Sequence, residues 1–195
     1  MNIETAFAIP LGISYYDKPL SDEQIEFINN LEYRYGQSHA FSFDTYILNS
    51  PILSDLEKWI NSQIIKFYYE TLRCPSRPYI TQSWVNKIQK GMYTHKHFHS
   101  NSIVSGVFYV EAQDEIAFDI FRSDLKPKVL ENNIFNNDVY SLPVNKNMLV
   151  LFPSYLSHSS PLSVEDFRYS IAFNTFVDDD LGTIGSLTYL EMNNG

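Results

Sequence analysis

The chain centres on His95-Lys96-His97-Phe98-His99, which runs into Ser102-Ile103-Val104-Ser105-Gly106-Val107-Phe108-Tyr109-Val110. Three of the five histidines stand here at alternate positions. In a β-strand, residues i and i+2 share a face and lie roughly 6.6 Å apart along the strand. Neighbouring imidazoles of such a row can lean onto one ion through bonds of about 2.1 Å. A fourth histidine closes Phe152-Pro153-Ser154-Tyr155-Leu156-Ser157-His158, and ten residues after it Arg168 opens the apolar run Arg168-Tyr169-Ser170-Ile171-Ala172-Phe173-Asn174. A His-x-His pair, a distant His and an Arg beyond it form a candidate site. The competing reading of the histidine row is a solvated basic strand edge, since Lys96 sits between two of its members.

A chain of 195 residues fits one domain, residues 1–195, large enough to bury a core. Apolar residues make up 44% of it, with 14 Tyr and 14 Phe, too much apolar and aromatic surface for disorder. The net charge is −9 and there is no block of Lys or Arg, which disfavours nucleic acid and anionic membrane as general partners. The single Cys74 excludes an internal disulfide and a Cys-rich zinc site. No basic segment precedes an apolar core at the N-terminus, and no apolar run approaches the ~20 residues that span a bilayer. The expectation is a soluble, cytoplasmic protein.

Residues 5–16 predict a short strand and a turn. Ser21 with Gln24 three residues later reads as a capping box, followed by Ile25, Ile28 and Leu31 at helical spacing and by Gly36 as a stop. A second helix is expected to open at Ser50-Pro51, to bury Leu53, Leu56, Ile60, Ile64 and Phe67, and to end near Cys74-Pro75. After Pro78 the pattern changes to short β-rich runs: 79–89, 93–99, 103–110, 116–121, 139–142, 148–152 and 168–176. These runs, separated by Asn, Asp, Pro and Gly, predict an antiparallel sandwich or barrel. The fold class is mainly β with N-terminal helices, a jelly roll or double-stranded β-helix of cupin-like form. Helical support would cover about 1–75 and the jelly roll about 76–180. Asp178-Asp179-Asp180 reads as a solvated turn rather than a metal site.

Imidazole suits zinc, copper, iron and nickel, and a site without thiolates points to non-haem Fe(II). The usual form of that site, two His and one carboxylate on one face of the metal, leaves three positions open. Two can take a bidentate 2-oxo acid and the third O2. A co-substrate ending in a second carboxylate then needs a fixed cation. Arg168 suits this role, being always charged, planar and bidentate toward carboxylate. Ser170, two residues on, shares its strand face and can add a hydroxyl. The competing reading of Arg168 is a surface salt bridge with Glu165 or Asp166.

In order along the chain, Phe7-Ala8-Ile9-Pro10, Trp84-Val85-Asn86, Gly91-Met92-Tyr93, His97-Phe98-His99, Ser105-Gly106-Val107-Phe108-Tyr109, Leu151-Phe152-Pro153-Ser154 with His158, and Arg168–Asn174 resemble the 2-oxoglutarate/Fe(II)-dependent oxygenases, specifically their bacterial and viral members. The resemblance implies a double-stranded β-helix, Fe(II), 2-oxoglutarate and O2 as cofactor and co-substrates, and oxidative decarboxylation to succinate coupled to hydroxylation of a substrate C–H bond. It gives His97 the first-ligand position, His158 that of the distal histidine, and Arg168 with Ser170 the co-substrate carboxylate. Asn86 matches a place where some members hold 2-oxoglutarate by an Asn, and Tyr109 is placed to donate its hydroxyl to the same ligand. For both, the competing reading is ordinary strand packing.

One residue departs from the common His-x-Asp or His-x-Glu pattern: the second position is His99. The metal set expected is His97, His99 and His158. The alternatives are a water or a carboxylate such as Asp119 in the third place, or His95 pairing with His97. Two other functions remain open: a three-His cupin-type enzyme that uses no 2-oxo acid, and a jelly-roll binding module without turnover. The substrate class, small molecule or protein side chain, and the oligomeric state are open.

Overall fold

The computed structural model describes residues 1–120, 127–164 and 166–192. Its strands are β1 (Gly12–Tyr15), β2 (Tyr33–Tyr35), β3 (Ala40–Ser42), β4 (Pro78–Gln89), β5 (Thr94–His97), β6 (Val104–Glu111), β7 (Gln113–Asp119), β8 (Val139–Asn145), β9 (Met148–Pro153), β10 (Ser157–Ser160) and β11 (Phe167–Val177). Two helices, α1 (Asp22–Asn29) and α2 (Ser54–Lys66), precede β4. The strands pair antiparallel in a seven-stranded sheet, β1-β9-β6-β11-β4-β3-β2, and a four-stranded sheet, β5-β10-β7-β8. This two-sheet arrangement is the expected jelly roll. Among the described residues no helix is long and apolar enough to cross a membrane.

Strand alternation explains why the central strands read as continuous apolar runs. On β6, Val104, Phe108 and Val110 join the cluster beneath α2, whereas Val107 and Tyr109 join the cluster between the two sheets. On β9, Leu149 and Leu151 go one way and Met148, Val150 and Phe152 the other. A strand covered on both faces has no polar face to show. On α2, Leu56, Ile60 and Ile64 recur every four residues, are buried, and cover the outer face of the large sheet with Val85, Ile171 and Phe173.

The N-terminal helices differ in their ends from the expectation. Ser21 and Gln24 form the capping box: Ser21 Oγ accepts from the Gln24 N–H at 3.2 Å and Gln24 Oε1 from the Ser21 N–H at 3.0 Å. The helix nevertheless stops at Asn29, because Tyr33–Tyr35 is taken into the sheet by pairing with β3. Gly36 serves the turn of that hairpin, donating its N–H to His39 O at 2.8 Å. Pro51 opens a 3-10 turn, Pro51–Leu53, and the α-helix begins at Ser54. Strand β10, which carries His158, and the β2–β3 hairpin are absent from the sequence expectation. Of the run expected at 116–121, Phe121 lies outside the described residues.

Gly106 on β6 lies in register between Phe173 on β11 and Leu151 on β9. A Cβ there would run into the Phe173 ring and lie 2.8 Å from Leu151 Cδ2. Gly106→Ala is therefore expected to lower unfolding free energy by roughly 1–3 kcal/mol, the range for overpacking a dense core. Urea unfolding of the two proteins checks this, and equal midpoints would show that the core gives way.

Candidate metal centre

Parity also builds the site. The even-numbered residues Arg168, Ser170, Ala172 and Asn174 follow one another on the inner face of β11, toward the four-stranded sheet. In register, Ser170 stands between Asn86 on β4 and Tyr109 on β6, and Ala172 between Trp84 and Val107. All of these but Asn174 line one cavity of about 100 Å³ between the sheets, with Ile116 opposite on β7. The small side chain of Ala172 leaves the row open in its middle.

All five histidines of the chain, His39, His95, His97, His99 and His158, line this cavity. His97 on β5 and His158 on β10 are direct cross-strand partners, with ring centroids 4.4 Å apart. The expected strand through His99 ends early, at His97. His99 lies in the following turn, held by its N–H on Ser154 O at 3.0 Å, and its ring still stacks on His97 with centroids at 5.1 Å. One potential ligand atom from each of His97, His99 and His158 lies within 4.8 Å of the others.

Each of the three rings has an oxygen acceptor at Nδ1. For His97 it is the His95 carbonyl at 2.8 Å, for His158 the Leu156 carbonyl at 3.0 Å, and for His99 the side-chain oxygen of Asn174. An imidazole that donates from Nδ1 keeps its Nε2 lone pair bare. The Nε2 atoms of His97 and His99 are 3.2 Å apart. Burial pushes the pKa of all three downward, that of His158 to about 3, with the neighbouring histidines adding to the effect. The cluster is thus three neutral nitrogen donors aimed at a common point, the protonation state that a metal ion requires.

The alternatives for the third ligand separate from this cluster. Asp119 makes an ion pair with Lys96 at 2.7 Å and is not among the converging donors. His95 turns Nδ1 to Ser38 Oγ at 3.1 Å and is likewise outside the converging set.

On the β2–β3 hairpin, His39 completes the wall and Ser38 braces it from behind. Ser38 Oγ bridges the Nδ1 atoms of His39 and His95, at 3.0 and 3.1 Å. Asn86 Oδ1 accepts from Trp84 Nε1 at 3.0 Å and lies 3.3 Å from His39 Nε2. With its oxygen so engaged, the amide of Asn86 has its nitrogen to offer a ligand. Tyr109 is buried, and burial raises the pKa of its hydroxyl, so it remains a donor at neutral pH.

Arg168 is buried at the same cavity, and among the described residues its ion-pair partner is not Asp166; the expected alternative Glu165 lies outside the described residues. Its NH1 pairs with Asp114 on β7 and its NH2 donates to Ser160 Oγ at 2.8 Å. Asp114, Ser160, Asn174 and His39 were not singled out from the sequence. Asn174 carried a signal, since it continues the same-face series of Arg168 and Ser170. Asp114 carried none, because contact across two sheets leaves no periodicity. Next to this cavity lies a larger hollow of about 770 Å³, lined by Phe7, Ile9, Phe118, Tyr140 and Leu156 among others.

Two β-sheets enclosing a three-histidine cup define a jelly-roll protein with a candidate metal centre. The family model described as "Putative 2OG-Fe(II) oxygenase" matches residues 82–174, from β4 to Asn174. No curated protein matches the sequence significantly. Among solved structures, the fold is similar to HygX from Streptomyces hygroscopicus with nickel and 2-oxoglutarate bound: 8% identity, 95% of this chain and 93% of that one covered, TM-score 0.59. It is also similar to a prolyl-4-hydroxylase from Pseudomonas putida, at 10% identity, 85% and 92% coverage and TM-score 0.58. A third similar structure is the prolyl hydroxylase of Trichoplax adhaerens in complex with a peptide fragment of hypoxia inducible factor, at 15% identity, 86% and 84% coverage and TM-score 0.58.

Asn174 holds the orientation of His99 and also accepts from Ser105 Oγ at 2.9 Å. Removing such an outer partner typically lowers metal affinity about 10- to 100-fold. Asn174→Ala is expected to weaken Co2+ binding by that factor, read by titration calorimetry. An unchanged affinity would mean that His99 is not a ligand.

Proposed function

We propose that the whole chain acts as one 2-oxoglutarate-dependent Fe(II) oxygenase that hydroxylates a substrate C–H bond and releases succinate and CO2. The observation that carries this reading is the convergence of three neutral imidazoles in a cavity whose opposite wall bears Arg168, Ser170, Asn86 and Tyr109. The donor set fits Fe(II): borderline nitrogen ligands, no thiolate, and open space on the side facing the cavity. His97, His99 and His158 would hold it, and cytosolic conditions would supply the reduced ion. Bound there, iron supplies the centre at which 2-oxoglutarate and O2 react.

The residues of the chain do the rest. Three uncharged ligands leave both positive charges of the ion uncompensated, which favours an anionic chelator over a neutral one. Arg168 draws the distal carboxylate of the co-substrate and fixes its direction. Ser170 and Tyr109 offer hydroxyls, and Asn86 its amide nitrogen, along one cross-strand row beneath the same ligand. The apolar rims, Val107, Ile116 and Ala172, keep water from the pocket. The adjoining hollow bounded by Phe118 and Leu156 is the candidate place for an apolar part of the substrate, in a small molecule or a protein side chain; Phe118 stands between it and His158, ring centroids 6.2 Å apart. Similar folds hold hygromycin B in one structure and a peptide fragment in another, which supports either kind.

One observation favours a second reading. Arg168 already has a carboxylate partner in Asp114, as it would in a three-His enzyme that takes no 2-oxo acid. Anaerobic titration of the protein with Fe(II) and then 2-oxoglutarate separates the two. The first reading expects the visible charge-transfer band of a chelated 2-oxo acid, absent in His97→Ala and in Arg168→Ala at co-substrate levels that saturate the native protein. Metal binding without a band would support the second reading.

A further inference from the structure

Arg168, which lines the cavity, and Asp114 belong to different sheets and pair across them. The Arg168 side chain is 3% exposed and that of Asp114 11%, so water screens the pair weakly. Asp114 Oδ2 takes NH1, and its other oxygen accepts the backbone N–H of Glu115 at 2.8 Å, which pins the carboxylate to its own strand. NH2 is bound to Ser160 Oγ. Among the described residues, the buried Nε of Arg168 has no hydrogen-bond partner. A guanidinium receives a carboxylate best along an edge with two parallel N–H groups. Here NH1 is held by an internal carboxylate and NH2 by a hydroxyl, so an external carboxylate meets a guanidinium with both terminal nitrogens already engaged.

We propose that Asp114 is a specificity-determining residue of the co-substrate site, an internal carboxylate that competes with the distal carboxylate of a 2-oxo diacid for Arg168. The inference rests on the reading of the cavity as a 2-oxoglutarate site. Before any ligand arrives, the Arg168–Asp114 pair sums to no net charge. A diacid then brings a second carboxylate to one cation, and two like charges sharing a site oppose each other. A 2-oxo monoacid, chelating at the histidine end only, does not meet Asp114. Asp114 therefore lowers the preference of the site for diacids and sets the co-substrate concentration at which the cavity fills.

The test is binding without turnover. Ni2+-loaded native protein, Asp114→Asn and Asp114→Ser are titrated calorimetrically with 2-oxoglutarate and with pyruvate. Asn keeps the shape and an oxygen for NH1; Ser keeps a hydroxyl and removes bulk, so that either variant that folds serves. Both variants are expected to bind 2-oxoglutarate about tenfold tighter or more, while pyruvate affinity stays within about twofold. Unchanged or weaker 2-oxoglutarate binding would overturn the proposal, since it would make Asp114 a residue that only positions Arg168. An equal gain for both acids would also overturn it. If 2-oxoglutarate binds the native protein and the variants gain nothing, Asp114 loses its role and the oxygenase reading stands. If 2-oxoglutarate binds none of the three, both fall together.

Discussion

The site depends on the hydrogen bond that each of three imidazoles makes through Nδ1. Without His95 O, Leu156 O and Asn174 Oδ1, the rings of His97, His158 and His99 would have no fixed tautomer and no fixed tilt. Two of these acceptors are backbone carbonyls, so the fold itself orients the rings. His97 and His158 are register partners, and the carbonyls that hold them lie two residues back on their own segments. The third ring lies beyond its strand and uses a side chain instead. That makes His99 the member whose position rests on sequence rather than on the sheet, and Asn174, anchored by Ser105, the residue that supplies it.

The same constraint shapes the electrostatics. Burial favours the neutral form of the histidines, and among the described residues no carboxylate joins the converging donors. A divalent ion bound there would keep its full charge toward the cavity. The nearby Arg168 would add a third positive charge were it not paired with Asp114 across the sheets. A buried pair of this kind contributes little net stability, but removing one partner leaves an isolated buried charge, at a cost of about 3–5 kcal/mol. Asp114 thus makes the buried Arg168 tolerable in the folded protein and, in doing so, moderates the pull of the cavity on anions.

Much of this could be read along the chain. The capping box at Ser21, the four-residue spacing on α2 and the β-rich runs from Tyr79 onward are local signals, and local physics decided them. The alternation of His95, His97 and His99 suggested a common face, and the rings of His97 and His99 do face one point, although His99 reaches it from a turn. The same-face series on β11 placed Arg168 and Ser170 on one wall, with Asn86 and Tyr109 beside them. What the sequence hid depends on contacts between distant elements. Tyr33–Tyr35 left the helical pattern because β3 offered it a ladder. Ser157–Ser160 is too short and too polar to announce a strand, yet pairing on both sides makes it one. His39 reaches the cavity, and Ser38 and Asp114 reach residues that line it, from another hairpin or sheet, and no spacing along the chain records that.

X-ray absorption spectroscopy at the iron edge of the anaerobic Fe(II)-loaded protein addresses the central claim most directly, because it counts imidazoles. Three histidine nitrogens at about 2.1 Å, falling to two in His99→Ala, is the result expected from three converging Nε2 atoms. Two imidazoles in the native protein, with the same count after His99→Ala, would contradict it and return the third position to water or a carboxylate.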